Sequence, residues 1–110
     1  MTQSKQQIGS LGPGTPSNAL FGSDVMVDIL TALGIEYIAL NPGASYRGLH
    51  DSLVNYADGG PKMLMCSHEE IAVAIANGYG RVTGKPMATG LHNVVGLQHA
   101  AMAIFNAWCD

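Results

Sequence analysis

The sequence predicts an α/β fold, a parallel sheet with helices on both faces that is incomplete at its C-terminal end. Three observations carry this. Short apolar segments, IEYIAL (35–40), KMLMC (62–66) and MATGL (87–91), alternate with stretches at helical spacing. None of the three alternates apolar with polar residues, the mark of strands covered on both faces. Behind them come NPGAS (41–45), CSHEE (66–70) and LHNVVG (91–96). These lie at the carboxyl ends of the strands, where sheets of this class bind ligands.

Each element follows from local signals. Residues 1–18, MTQSKQQIGSLGPGTPSN, are rich in Gly, Pro, Ser and Gln and read as a disordered arm. Ser23 is a candidate cap for a helix with Val25, Ile29 and Leu33 on one stripe, and Gly34 ends it. After the first strand, Asn41-Pro42-Gly43 breaks the chain. A second helix carries Tyr46, Leu49, Leu53 and Tyr56, and Asp58-Gly59-Gly60-Pro61 is the turn before the second strand. The third helix spans about 68–82 and ends at Thr83-Gly84-Lys85-Pro86, a strong stop. Leu97, Ala101, Ile104, Phe105 and Trp108 mark a fourth helix. Because a further strand is expected beyond it, residues 19–110 read as a partial domain.

Composition excludes several classes. Of 110 residues, 47% are hydrophobic and only 12% charged, so part of the surface is expected to be covered by something else. The net charge is −3 and the five basic residues are scattered, which argues against a nucleic-acid partner. Apolar runs break well before the ~18 residues a membrane span needs, and without a basic start followed by an apolar block no secretory signal is expected. Cys66 and Cys109 lack metal-ligand spacing and read as reduced, buried thiols of a cytoplasmic protein.

The chemistry centres on Ser67-His68-Glu69-Glu70. S-x-x-E is the capping-box pattern, which gives Glu70 a structural job against the Ser67 amide. Glu69 has no such job. As a first-turn acid it would complement the helix dipole by roughly 0.3–1 kcal/mol. The helix behind it, however, is nearly uncharged until Arg81, with an Ala72/Ala76/Gly80 ridge suited to close packing. Burial in such surroundings would raise the pKa of Glu69 and suit it to proton exchange.

HEEIAVAIANGYGRVTGKP, with LNPGASYRGLHDSL before it and LHNVVGLQHAAMAIFNAW after it, resembles the domain of thiamine diphosphate-dependent enzymes that binds the cofactor's aminopyrimidine. The likeness covers residues 20–110 and is greatest to benzoylformate decarboxylase-like and acetolactate synthase-like members. It implies that Glu69 is the catalytic glutamate, hydrogen-bonded to the pyrimidine and promoting loss of the proton at thiazolium C2, with the cofactor as electron sink. It implies a substrate-side proton role for His92, and cofactor contacts for Pro42, Gly43, Gln98 and His99. VVGLQH departs from the family's usual loop, and Ala44 stands where some relatives carry a pocket serine. No metal ligand is assigned here. The family holds the diphosphate through Mg²⁺ on a second domain bearing a G-D-G motif, and GDG occurs nowhere in this chain.

The resemblance therefore implies half of an active site in a 2-oxo acid decarboxylase or carboligase. The diphosphate-binding domain would come from the same or another chain, commonly in a dimer or tetramer. The alternatives are a separate subunit of a split decarboxylase and a non-catalytic assembly fragment. His50 and His68 are expected at the surface or an interface, and Cys66 as a core thiol.

Overall fold

Ile38 and Leu40 pack on one side of a strand and Ala39 on the other, and different helices cover the two sides. The computed structural model describes residues 18–110, so the arm expected over 1–18 lies outside the described residues except for Asn18. The order is α1 (Gly22–Ala32), β1 (Tyr37–Leu40), a 3₁₀ turn (Ala44–Tyr46), α2 (Arg47–Asp51) and a π-helical turn (Ser52–Tyr56). There follow β2 (Lys62–Met65), α3 (Glu69–Thr83), β3 (Ala88–Gly90), α4 (Asn93–His99) and α5 (Ala101–Cys109).

The three strands are parallel in the order β2-β1-β3. Leu40 pairs with both Met65 and Gly90, so the strands end level. That register delivers all three candidate segments to one edge of the sheet. On one face Val27 and Leu30 of α1 and Leu49 and Leu53 close over Ile38 and Leu40. On the other, Ala72 of α3 and Cys66 pack against Ala39. Helices on both faces follow, as the unalternating strands predict.

Two helices depart from the sequence expectation. The Val25, Ile29 and Leu33 stripe of α1 faces outward. The docked side is set by Asp24 and Val27 instead, both buried. Ser23 does not cap this helix, whose N-cap is Phe21. The Asp24 carboxylate reaches back, accepting from the Leu20 and Phe21 amides at 3.0 and 3.1 Å. Its other oxygen accepts from the Ser52 hydroxyl at 2.7 Å, while Ser23 Oγ lies 2.8 Å from the same hydroxyl. A hydrogen-bonded acid thus occupies the buried side where hydropathy alone would choose the apolar stripe.

The expected fourth helix is two. It breaks at Ala100, and α5 leans on α3 through Ala100 and Ala103 against Val73. Small side chains allow that close approach, and Leu97, Phe105 and Trp108 are turned outward. Gly84, with φ of 70°, ends α3 in the left-handed conformation that favours glycine.

Candidate active site

The Cys66 amide donates to the Leu40 carbonyl at 2.8 Å, carrying the β1–β2 pairing one residue further before the chain turns into α3. His68, not Ser67, is the N-cap. Its backbone is extended (φ −155°, ψ 149°) and its Nδ1 accepts from the Glu70 amide at 3.2 Å. The helix begins one residue later than the S-x-x-E pattern requires, so Glu70 stands second in the helix rather than third. The capping box does not form, and the Glu70 side chain is exposed. Glu69, at the first helical position, turns inward.

Glu69 is 3% exposed. Its Oε1 accepts from Asn41 Nδ2 at 3.2 Å, and its Oε2 faces His99 Nδ1 at 3.4 Å, longer than a well-formed N–H···O bond. Gly96 packs directly on it, since a Cβ there would stand 3.0 Å from Glu69 Cγ and Oε1. Burial was expected to raise the Glu69 pKa; the pKa is lowered instead. The glutamate's own backbone N–H is the largest cause, outweighing desolvation, and Asn41 and His99 add to it. Charge-stabilising donors defeat burial here.

The His99 ring stacks on His68 with centroids 4.9 Å apart and planes at 21°. His68, Glu69 and His99 thereby bring three potential ligand atoms within 4.8 Å of one another. A metal must lie in the plane of each imidazole it binds, about 2 Å from the nitrogen. Two stacked, nearly parallel rings cannot both meet that condition without one turning, and His68 Nδ1 is committed to the helix cap. This is a hydrogen-bonded stack rather than a chelate.

His92 lies beyond β3 and is the N-cap of α4, with Nδ1 2.9 Å from Asn93 Oδ1. It touches the Pro-Gly turn: a Cβ on Gly43 would stand only 2.2 Å from His92 Cδ2. Tyr46 meets its ring edge-on with centroids 6.4 Å apart. The structure therefore brings Gly43 to His92, and Glu69 to His99. Pro42 is exposed in the turn between them, and Gln98 is exposed on α4. Cys66 is buried as expected, whereas Cys109, expected in the core, is exposed at the end of α5.

Sequence reasoning missed Asn41, Gly96, His68 and Tyr46. Asn41 was legible only as a strand breaker, although its place just before Pro-Gly at a strand end is a ligand-side position. His68 read as a surface residue because its capping role depends on where the helix starts.

The family described as thiamine pyrophosphate enzyme, N-terminal TPP binding domain, matches residues 21–110. The chain belongs to this family. Among its relatives, the acetolactate synthase large subunit of Haemophilus influenzae is 31% identical over 91 residues, covering 83% of this chain and 16% of the relative. An acetolactate synthase of Bacillus subtilis is 30% identical over 86 residues, covering 78% of this chain and 15% of that one. A "Probable 2-ketoarginine decarboxylase" of Pseudomonas aeruginosa is 30% identical over 102 residues, covering 89% and 17%. The chain thus spans about a sixth of the length of these curated relatives. No solved structure matches it significantly. This thiamine pyrophosphate enzyme domain is related to that of the acetolactate synthases, and its sheet and flanking helices carry the family's α/β architecture.

Proposed function

We propose that residues 19–110 are part of the pyrimidine-binding domain of a thiamine diphosphate-dependent 2-oxo acid decarboxylase or carboligase, with Glu69 as the residue that activates the cofactor. The observation that carries this is a buried, ionisable carboxylate at the first turn of a helix, on the carboxyl edge of a parallel sheet, in a chain of this family. The site suits a flat heterocycle. Glu69 offers an acceptor, Gly96 lets its carboxylate pack against α4 as Gly43 lets His92 pack against the Pro-Gly turn, and Asn41 and His99 meet its two oxygens.

The bound cofactor supplies the electron sink for decarboxylation. The chain's residues would position the ring and stabilise its charge. An ionised Glu69 would accept a hydrogen bond from a protonated ring nitrogen and stabilise its positive charge, and the lowered pKa favours that ionised form. Asn41 fixes the carboxylate's rotamer. In this reading Pro42, Gly43, Gln98 and His99 would contact the cofactor, and His92 would exchange a proton with substrate.

The diphosphate and its Mg²⁺ are assigned to a second domain, in the same chain or in the partner of a homo-oligomer. Exposed apolar residues such as Val94, Phe105 and Trp108 support such a contact surface. Both cysteines are free, consistent with a cytoplasmic protein, and no helix among the described residues is long and apolar enough to cross a membrane.

Hydrogen–deuterium exchange at the cofactor's C2 in the full-length protein tests the reading. Glu69→Gln should slow exchange by about a hundredfold or more, the range for loss of a positioned acid–base group. Normal exchange in that variant would place the activating group elsewhere.

A further inference from the structure

Tyr46 closes the 3₁₀ turn behind Pro42-Gly43, and its hydroxyl is buried without a hydrogen-bond partner among the described residues. Native structures rarely leave such a group unpaired, because its lost hydration is then uncompensated. The surroundings say what would pair with it. The ring stands edge-on to His92 at 6.4 Å. Its Cζ, the carbon bearing the hydroxyl, would lie 3.9 Å from a Cβ on Gly90, the last residue of β3. The hydroxyl thus sits beside the carboxyl end of the sheet, where parallel α/β folds receive ligands.

We propose that Tyr46 is a substrate-binding residue of this site, its hydroxyl donating a hydrogen bond to the carboxylate of the 2-oxo acid. This rests on the functional reading above. A phenol is protonated at neutral pH and can serve as a donor; burial, and then the nearby Glu69 charge, push its pKa further up. The reacting end of a 2-oxo acid carries only acceptors. A protonated phenol with no other partner complements it, and the contact with His92 puts donor and proposed proton-exchanging group on the same side.

Tyr46→Phe in the full-length protein removes one oxygen and leaves the ring. With pyruvate and longer 2-oxo acids as probes, KM should rise about 10- to 100-fold for the substrate turned over best, as for a lost bond to a charged group. The value of kcat should stay within about threefold, and substrate-free C2 exchange should match wild type. A merely packed tyrosine would leave KM unchanged, which overturns the proposal. A fall in kcat at constant KM also overturns it, since the hydroxyl would then act on the reaction rather than on carboxylate binding. If wild-type protein shows neither cofactor-dependent exchange nor turnover, the functional reading fails and Tyr46's role falls with it. Normal wild-type exchange with unaltered KM in the variant removes Tyr46 alone.

Discussion

A methyl group at Gly96 would meet Glu69 at 3.0 Å on both Cγ and Oε1, and Glu69 is packed too tightly to retreat freely. Gly96 lies within α4, where alanine is the better helix former by about 1 kcal/mol. Gly96→Ala sets that gain against crowding of Glu69 and of His92 Cβ, which would lie 3.1 Å away. Thermal unfolding should be unchanged or shifted downward, while C2 exchange in the full-length protein falls about tenfold as the carboxylate is pushed off its Asn41 and His99 contacts. Equal exchange rates would mean that Glu69 tolerates the shift. This contact shows what a sequence withholds. The unusual acid pair was visible at 69 and 70, and so was the absence of charge behind it. Two of the donors that lower the Glu69 pKa, after its own backbone N–H, were not, because Asn41 and His99 come from distant segments and meet Glu69 only once the strands end level.

At the scale of elements, α1 is held to the turn behind α2 by the Asp24, Ser52 and Ser23 hydrogen bonds, and Tyr56 adds a bond from its hydroxyl to Asp28 at 3.0 Å. The Ser52 hydroxyl is the main cause of a lowered Asp24 pKa, outweighing burial, with the Leu20 and Phe21 amides contributing. A carboxyl that titrates lower in the folded state contributes stability in full above its unfolded pKa. That stability is lost as pH falls through the folded value. Thermal unfolding of the full-length protein should therefore weaken in acid. Asp24→Asn should be less stable at neutral pH, and the gap to wild type should close as pH drops below the ordinary aspartate range. A constant gap from pH 7 to 3 would show that the charge contributes nothing. The same network explains which elements were legible. Strand positions and the glycine stops at 34 and 84 depend on local signals, and they hold. The facing of α1 and the break at Ala100 depend on what packs against them: a hydrogen-bonded acid in one case, small residues against α3 in the other.

For the molecule as a whole, the decisive quantity is charge available to a diphosphate. Lys85 is paired with Glu36, and Arg81 with Asp110, both at the far end of α3 from Glu69. Around Glu69 itself stand an amide and two imidazoles, with no cluster of carboxylates among the described residues suited to Mg²⁺, which prefers oxygen ligands. The pyrimidine half of the cofactor could gain a few hydrogen bonds and some apolar contact here, at an edge bordered by exposed side chains such as Val94 and Val95. Fixing a small ligand costs several kcal/mol of lost freedom, and so few contacts leave little surplus. The 110-residue chain by itself should therefore turn over no 2-oxo acid and bind thiamine diphosphate only weakly, with no dependence on Mg²⁺. Calorimetric titration of the isolated chain with cofactor, with and without the metal, checks this. A metal-dependent dissociation constant of about micromolar or tighter, worth roughly 8 kcal/mol, would require diphosphate ligands within this chain and end the assignment of that half to another domain.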